Sequence, residues 1–147
     1  MLVGTLLYLT VWTRPDLVFA TQQLAKWSHD PHVKHMNAGM RVLSYLQGTK
    51  TLGITYRRGQ PNANRLIGWA DVEWIPAGQK SRSTSGYVST LHGGALSWKC
   101  SQVKSVAKTT SDADYVASSR ASDDILFLCR VLQEAGFKQN TPTPLFS

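Results

Sequence analysis

Apolar positions recur along this chain with two different periods, and the change falls near residue 50. Up to Gly48 the spacing is helical. Thr13-Arg14-Pro15-Asp16 reads as a helix start, with a capping Thr, a Pro in the first turn and an early acid. Leu17, Ala20, Leu24 and Trp27 follow at helical intervals. Asp30-Pro31 opens a further helix in the same way; its apolar face is Val33, Met36, Met40 and Leu43, and Gly48 stops it. The apolar run Met1 to Trp12 is too short to span a bilayer, which takes about 20 residues. It lacks the form of a secretory signal and reads as a core helix.

Beyond Gly48 the period shortens. Leu52 to Tyr56 and Leu66 to Trp74 are rich in β-formers and read as strands, separated by the loop Gly59 to Asn64. Tyr87 to Leu91 and Ala95 to Trp98 flank His92-Gly93-Gly94 as a hairpin, and Val103 to Lys108 suggests one more strand. A long helix is predicted from about Asp112 to Ala135, stopped by Gly136 with Phe137 folding back onto its last turn. The tail, Thr141 to Ser147, turns into the start of another strand. The expectation is an α/β chain in three parts: a helical segment over 1–50, a strand and linker over 51–64, and a mixed sheet with a long helix over 65–147. The sheet is expected to be unfinished where the sequence ends.

Charge and cysteine content narrow the picture. The 147 residues hold 16 Lys plus Arg against 9 Asp plus Glu, a net charge of +7. That excess favours polyanionic partners, of which nucleic acid is the commonest. Two cysteines do not make a disulfide framework, so a reduced, intracellular setting is expected.

The placement of the nine acids separates candidates from bystanders. Alternation along Leu66 to Trp74 puts Asp71 and Glu73 on one face with Ile67 and Trp69, roughly 6.5 Å apart along the strand. The other face, Leu66, Gly68, Ala70, Val72 and Trp74, is also apolar, which suggests a central strand covered on both sides. An acid near the end of such a strand is costly to bury without a partner. In the long helix, with Asp112 at 0° and about 100° per residue, Ala117, Ala121, Ile125, Leu128 and Leu132 fall between roughly 140° and 220°. Asp114 falls at about 200° on the same scale, inside that core stripe, and Asp112 lies opposite. Asp114 is expected to face the sheet and Asp112 water. Both acids also suit a first helical turn, and Ser111 with Asp114 resembles a capping box. Asp123 and Asp124 read as solvated surface. Carboxylates converging from separate elements are what two Mg²⁺ ions need for phosphodiester hydrolysis. On geometry alone, Asp71 and Asp114 converge, with Glu73 as a neighbour.

Other features are weaker. His29, His32 and His35 have ligand-like spacing, but no Cys or acid except Asp30 joins them, and packing or surface exposure is the better reading. Lys80 and Arg82 among Ser83 and Thr84 suit phosphate contacts or, equally, an exposed polar loop. Lys99, Lys104 and Lys108 extend that basic surface, with Trp98 read as core.

Several motifs then fall into a known order. Leu2-Val3-Gly4-Thr5-Leu6-Leu7-Tyr8-Leu9-Thr10, Thr13-Arg14-Pro15-Asp16, His35 and Val42-Leu43-Ser44-Tyr45-Leu46-Gln47-Gly48-Thr49 resemble the segment after the polymerase core of copia-type retrotransposons. Ala70-Asp71-Val72-Glu73-Trp74 resembles that family's Ser-Asp-Ala-Asp-Trp motif. Lys80-Ser81-Arg82-Ser83-Thr84-Ser85-Gly86-Tyr87-Val88, Leu96-Ser97-Trp98 and Ser111-Asp112-Ala113-Asp114-Tyr115 follow in register over nearly the whole chain.

The resemblance implies a helical reverse transcriptase connection segment followed by the first half of a ribonuclease H-like fold from about residue 65. It implies an ancestral activity, metal-dependent cleavage of RNA in RNA–DNA hybrids. Asp71 would be the first catalytic acid, Asp114 the helix carboxylate that is Glu in the family, and Glu73 a support. Mg²⁺ or Mn²⁺ would be the cofactor at a two-metal site. The partners would be a hybrid and the rest of the reverse transcriptase, with no membrane, in a cytoplasmic virus-like particle or the nucleus. Polymerase carboxylates are absent. The family's third catalytic acid would lie beyond Ser147, so the expected metal set is incomplete and this chain is expected to be inactive alone. Asp114 is one methylene shorter than the family's Glu. The alternative is a catalytically dead nucleic-acid-binding or structural remnant of the same polyprotein.

Overall fold

The computed structural model describes residues 2–59, 64–73, 75, 83–103 and 109–147, in two compact units, Met1–Ile54 and Thr55–Ser147. The first unit is helical. It comprises α1 (Leu2–Trp12), a 3-10 turn (Pro15–Leu17), α2 (Val18–Ala25) and α3 (Val33–Gly48). Its buried side chains are Leu6, Thr10, Arg14, Leu17, Thr21 and Leu24. Three sequence expectations fail here. Thr13 does not cap the second helix, because its hydroxyl turns back to the Leu9 carbonyl and it remains part of α1's exit. Val33, Met36, Met40 and Leu43 do not form a buried face: all four are exposed, and the buried residue of α3 is Gly39, against Leu2. Asp30 does not begin α3 either. His32 occupies the N-cap, and its backbone N–H donates to His35 Nδ1 at 3.1 Å.

Arg14 ties this unit together. Its guanidinium donates to both carboxylate oxygens of Asp16, at 2.8 to 3.3 Å, and to the carbonyl and hydroxyl of Thr49 at 3.2 and 2.8 Å. It therefore bridges the start of the 3-10 turn to the residue that ends α3, adding a second donor to a Thr49 carbonyl that already accepts Leu52 N–H at 3.1 Å. Almost fully buried, it is held in its charged form by Asp16, which in turn lies below the usual carboxylate range because of Arg14's hydrogen bonds.

The second unit is α/β. Its mixed sheet has the order β3-β2-β1-β4, with β1 at Ile67–Glu73, β2 at Thr84–Leu91, β3 at Gly94–Gln102 and β4 at Leu145–Phe146. β1 pairs antiparallel with β2 and parallel with β4. The turn His92-Gly93 has positive φ at both positions, 52° and 77°, the backbone that closes a two-residue hairpin. The helix α4 (Thr110–Glu134) begins at the Thr109–Asp112 capping box. It ends where Gly136 adopts φ 87° and Phe137 N–H reaches back to Leu132. The expected strand Leu52 to Tyr56 is not formed. Residues 52–57 carry no regular structure, and Tyr56 and Arg57 are tied to the hairpin end, through Arg57 N–H to the His92 carbonyl and the Tyr56 hydroxyl to the Ala95 carbonyl. Most of the expected strand Val103 to Lys108 lies outside the described residues. Among the described residues no helix is long and apolar enough to cross a membrane.

α4 covers one face of the sheet. Ile125 sits over Gly68, and Ala117 and Ala121 pack on Ala70, with Val72, Tyr87 and Leu145 alongside. β1 is thus central in pairing but not covered on both faces as expected: Trp69, Asp71 and Glu73, on the face away from α4, are exposed.

Candidate active site at the carboxyl end of the central strand

Cross-strand register fixes which side chains share a face. Gly68, Ala70 and Val72 stand beside Ser89, Tyr87 and Ser85 of β2 and Ser97, Lys99 and Ser101 of β3, all toward α4. Trp69, Asp71 and Glu73 stand beside Val88, Gly86 and Thr84 on the opposite face. Because Ile125 lies at the level of Gly68 and Arg120 at that of Ser85, opposite Val72, α4 runs antiparallel to β1. Its first turn therefore reaches the carboxyl end of β1. Asp114, six residues before Arg120, lies about 9 Å further along that direction.

The two principal candidates thus come to one end of the sheet but not onto one face. Asp71 is exposed on the side away from α4, and its Oδ1 accepts the N–H of Val72 at 2.8 Å. Glu73 shares that side and is exposed. Asp114 is also exposed, and the core stripe passes through Ala113 instead, which is fully buried. Recurring every fourth residue, the buried stripe drifts about 40° at each step, so at the start of the helix it lies at Ala113, about 100° away from Asp114. Asp112 takes the capping role, accepting from Thr109 N–H at 3.2 Å.

Carboxylates are the donor type Mg²⁺ takes. Among the described residues, however, no three of His, Cys, Asp and Glu gather as a metal-holding group. Asp71, Glu73 and Asp114 therefore do not by themselves complete a two-metal arrangement.

The proposed phosphate contacts divide. Lys80 and Arg82 lie outside the described residues, as do Lys104, Lys108 and Trp74. Ser83 and Thr84 are buried, and Ser83 Oγ accepts Ile75 N–H at 2.9 Å. Ser83 thus braces the entry to β2, and neither hydroxyl offers an exposed surface to a backbone phosphate.

The sequence reading missed a polar seam beneath α4. Asp124, expected at the surface, accepts hydrogen bonds from Tyr87 Oη (3.2 Å), Ser89 Oγ (3.2 Å) and Ser97 Oγ (2.9 Å). One turn earlier, Arg120 Nη1 donates to Ser85 Oγ at 3.1 Å and Ser101 Oγ at 3.2 Å. Burial, and then the neighbouring Asp124 charge, push the Tyr87 phenol up to about 12. A signal was available: on the helical wheel Asp124 falls at about 120°, on the flank of the stripe, whereas Asp123 falls near 20°.

Comparison with known proteins gives the lineage. No family model and no solved structure matches the chain. It is 38% identical over 126 residues to the secreted RxLR effector protein 161 of Plasmopara viticola, covering 86% of this chain and 87% of that protein. It is 33% identical over 145 residues to the retrovirus-related Pol polyprotein from transposon RE2 of Arabidopsis thaliana. It is likewise 33% identical over 137 residues to the Pol polyprotein from transposon TNT 1-94 of Nicotiana tabacum. These two matches cover 99% and 93% of this chain but only 10% of each polyprotein. With the motifs in order along an α/β unit and likeness over nearly the whole chain, the protein belongs to the family of copia-type retrotransposon Pol polyproteins, of which it corresponds to a segment.

Proposed function

We propose that the second unit is a ribonuclease H-type segment and that its lineage activity is hydrolysis of RNA in RNA–DNA hybrids. One observation carries the reading: Asp71 on the central strand and Asp114 near the start of α4 lie toward the same end of a β3-β2-β1-β4 sheet. A ribonuclease H-like fold is compatible with that order, with β4 parallel to β1 and α4 joining β3 to β4. Asp71 and Asp114 are the carboxylates this segment contributes, and Glu73 is a neighbour that adds negative charge. Mg²⁺ or Mn²⁺ would supply charge neutralisation at the scissile phosphate, with further ligands from outside the described residues. The first unit is the reverse transcriptase connection. Lys80 and Arg82 belong to the surface that meets the hybrid. The setting is intracellular, in a virus-like particle or the nucleus.

A second reading has its own support. Asp71 and Asp114 stand on different faces, and the described residues gather no metal-holding group. On that reading the chain is a non-catalytic, basic remnant that binds nucleic acid without cutting. A labelled RNA–DNA hybrid, incubated with the chain and Mg²⁺ or Mn²⁺, separates the two. Hybrid-selective cleavage abolished by Asp71→Asn supports the hydrolase. Binding that weakens steeply with salt, without cleavage, supports the remnant.

A further inference from the structure

We infer that Arg120 and Asp124 are positioning residues: their hydrogen bonds to five sheet hydroxyls fix the register of α4, and so the place of Asp114 along β1. The part concerning Asp114 rests on the hydrolase reading above; the part concerning register does not.

The reasoning starts from the apolar contacts. The buried stripe of α4 is Ala113, Ala117, Ala121 and Ile125, one residue every four. Sliding the helix by one turn, about 6 Å, places Ala on Ala at two of these positions. Small, repeating side chains leave little to distinguish one register from the next. Ile125 over Gly68 supplies a key at one point.

The seam supplies the rest. In the observed register Asp124 faces Tyr87, Ser89 and Ser97, and Arg120 faces Ser85 and Ser101. If α4 slid so that Arg120 took the place of Asp124, Val116 would cover Ser85 and Ser101. If it slid the other way, Leu128 would cover Tyr87, Ser89 and Ser97. Either slip buries hydroxyls against an apolar side chain, which is unfavourable. Ser85 and Ser89 are almost completely buried, so water offers no ready substitute. The Ser85-Gly86-Tyr87-Val88-Ser89 stretch, whose first four residues close a motif read in the sequence, thus alternates its hydroxyls toward a single helix face.

The test places spin labels at Lys99→Cys and Tyr115→Cys in the full chain, with Ser at Cys100 and Cys129, and reads the distance distribution. The expected result is one narrow population, joined by a second, displaced population in Asp124→Leu and in Arg120→Met. Asp124→Asn and Arg120→Lys, which keep polar partners, are expected to restore the single population. One narrow, unmoved population in both apolar variants would overturn the register claim. In hybrid cleavage by the segment joined to the stretch of a related Pol polyprotein that supplies the further metal ligands, Asp124→Leu is expected to lower kcat about 100-fold, as an ångström-scale misplacement does, with KM little changed. Unchanged kcat in a variant whose helix has slipped would overturn the positioning of Asp114. Absence of cleavage by the joined segment itself would count against the hydrolase reading, while the label distances still decide the register.

Discussion

Arg14 and Tyr87 show how single side chains set the conditions under which each unit holds together. Arg14 makes five hydrogen bonds from a nearly buried position. Arg14→Ala leaves Asp16 and the end of α3 without their partner and is expected to destabilise the first unit by about 2 kcal/mol, the scale of charge-assisted hydrogen bonds. Urea unfolding followed by helical circular dichroism checks it. Asp16 has its pKa lowered below 3.8 by Arg14, so its contribution is complete above that value and is lost as pH falls through the lower, folded value. Asp16→Asn is expected to remove that acid sensitivity. Tyr87 works in the opposite direction. Its folded pKa of about 12 exceeds the ordinary 10.0, so its contribution is present below pH 10 and is lost as pH rises toward 12. Alkaline unfolding of the second unit, flattened in Tyr87→Phe, is the corresponding measurement.

At the scale of elements, the sequence made the hairpin, the long helix and the central strand legible. His92-Gly93 and Gly136 carry backbone requirements that few residues meet, and Leu66 to Trp74 is a short run rich in β-formers. The helical first unit was legible as helices but not as packing. Its expected apolar face on α3 is exposed, because periodicity reports which residues share a side and not whether anything covers it. Leu52 to Tyr56 looked like a strand by composition, yet Tyr56 lies across Gly94. A Cβ at Gly94 would stand 2.7 Å from the Tyr56 ring and 2.9 Å from the Thr55 carbonyl oxygen. Gly94→Ala is therefore expected to cost roughly 1–3 kcal/mol through overpacking, read as a lower melting temperature of the second unit. Gly86→Ala, with its nearest neighbour at 3.7 Å, is the control toward the open end of the same hairpin, opposite Cys100.

For the whole molecule, lineage was more legible than site. Ordered motifs identified the family. Asp71 and Asp114 were expected to converge, with Asp114 facing the sheet, whereas both are exposed and stand on different faces. Their separation onto two faces was not legible, because the wheel placed Asp114 by an average phase that the Ala113 to Ile125 stripe does not follow. The seam was missed for a related reason: five hydroxyls and two charges under a helix resemble surface residues until the sheet's register brings them together. The measurement closest to the central claim is a comparison of hybrid cleavage by this segment, joined to the stretch of a related Pol polyprotein that supplies the further metal ligands, with its Asp71→Asn, Asp114→Asn and Asp112→Asn variants. Loss of at least about 100-fold at positions 71 and 114, with Asp112→Asn altered only as far as helix capping affects stability, is the predicted result. Cleavage that survives Asp71→Asn and Asp114→Asn alike would contradict the assignment of these two acids to one hydrolytic centre.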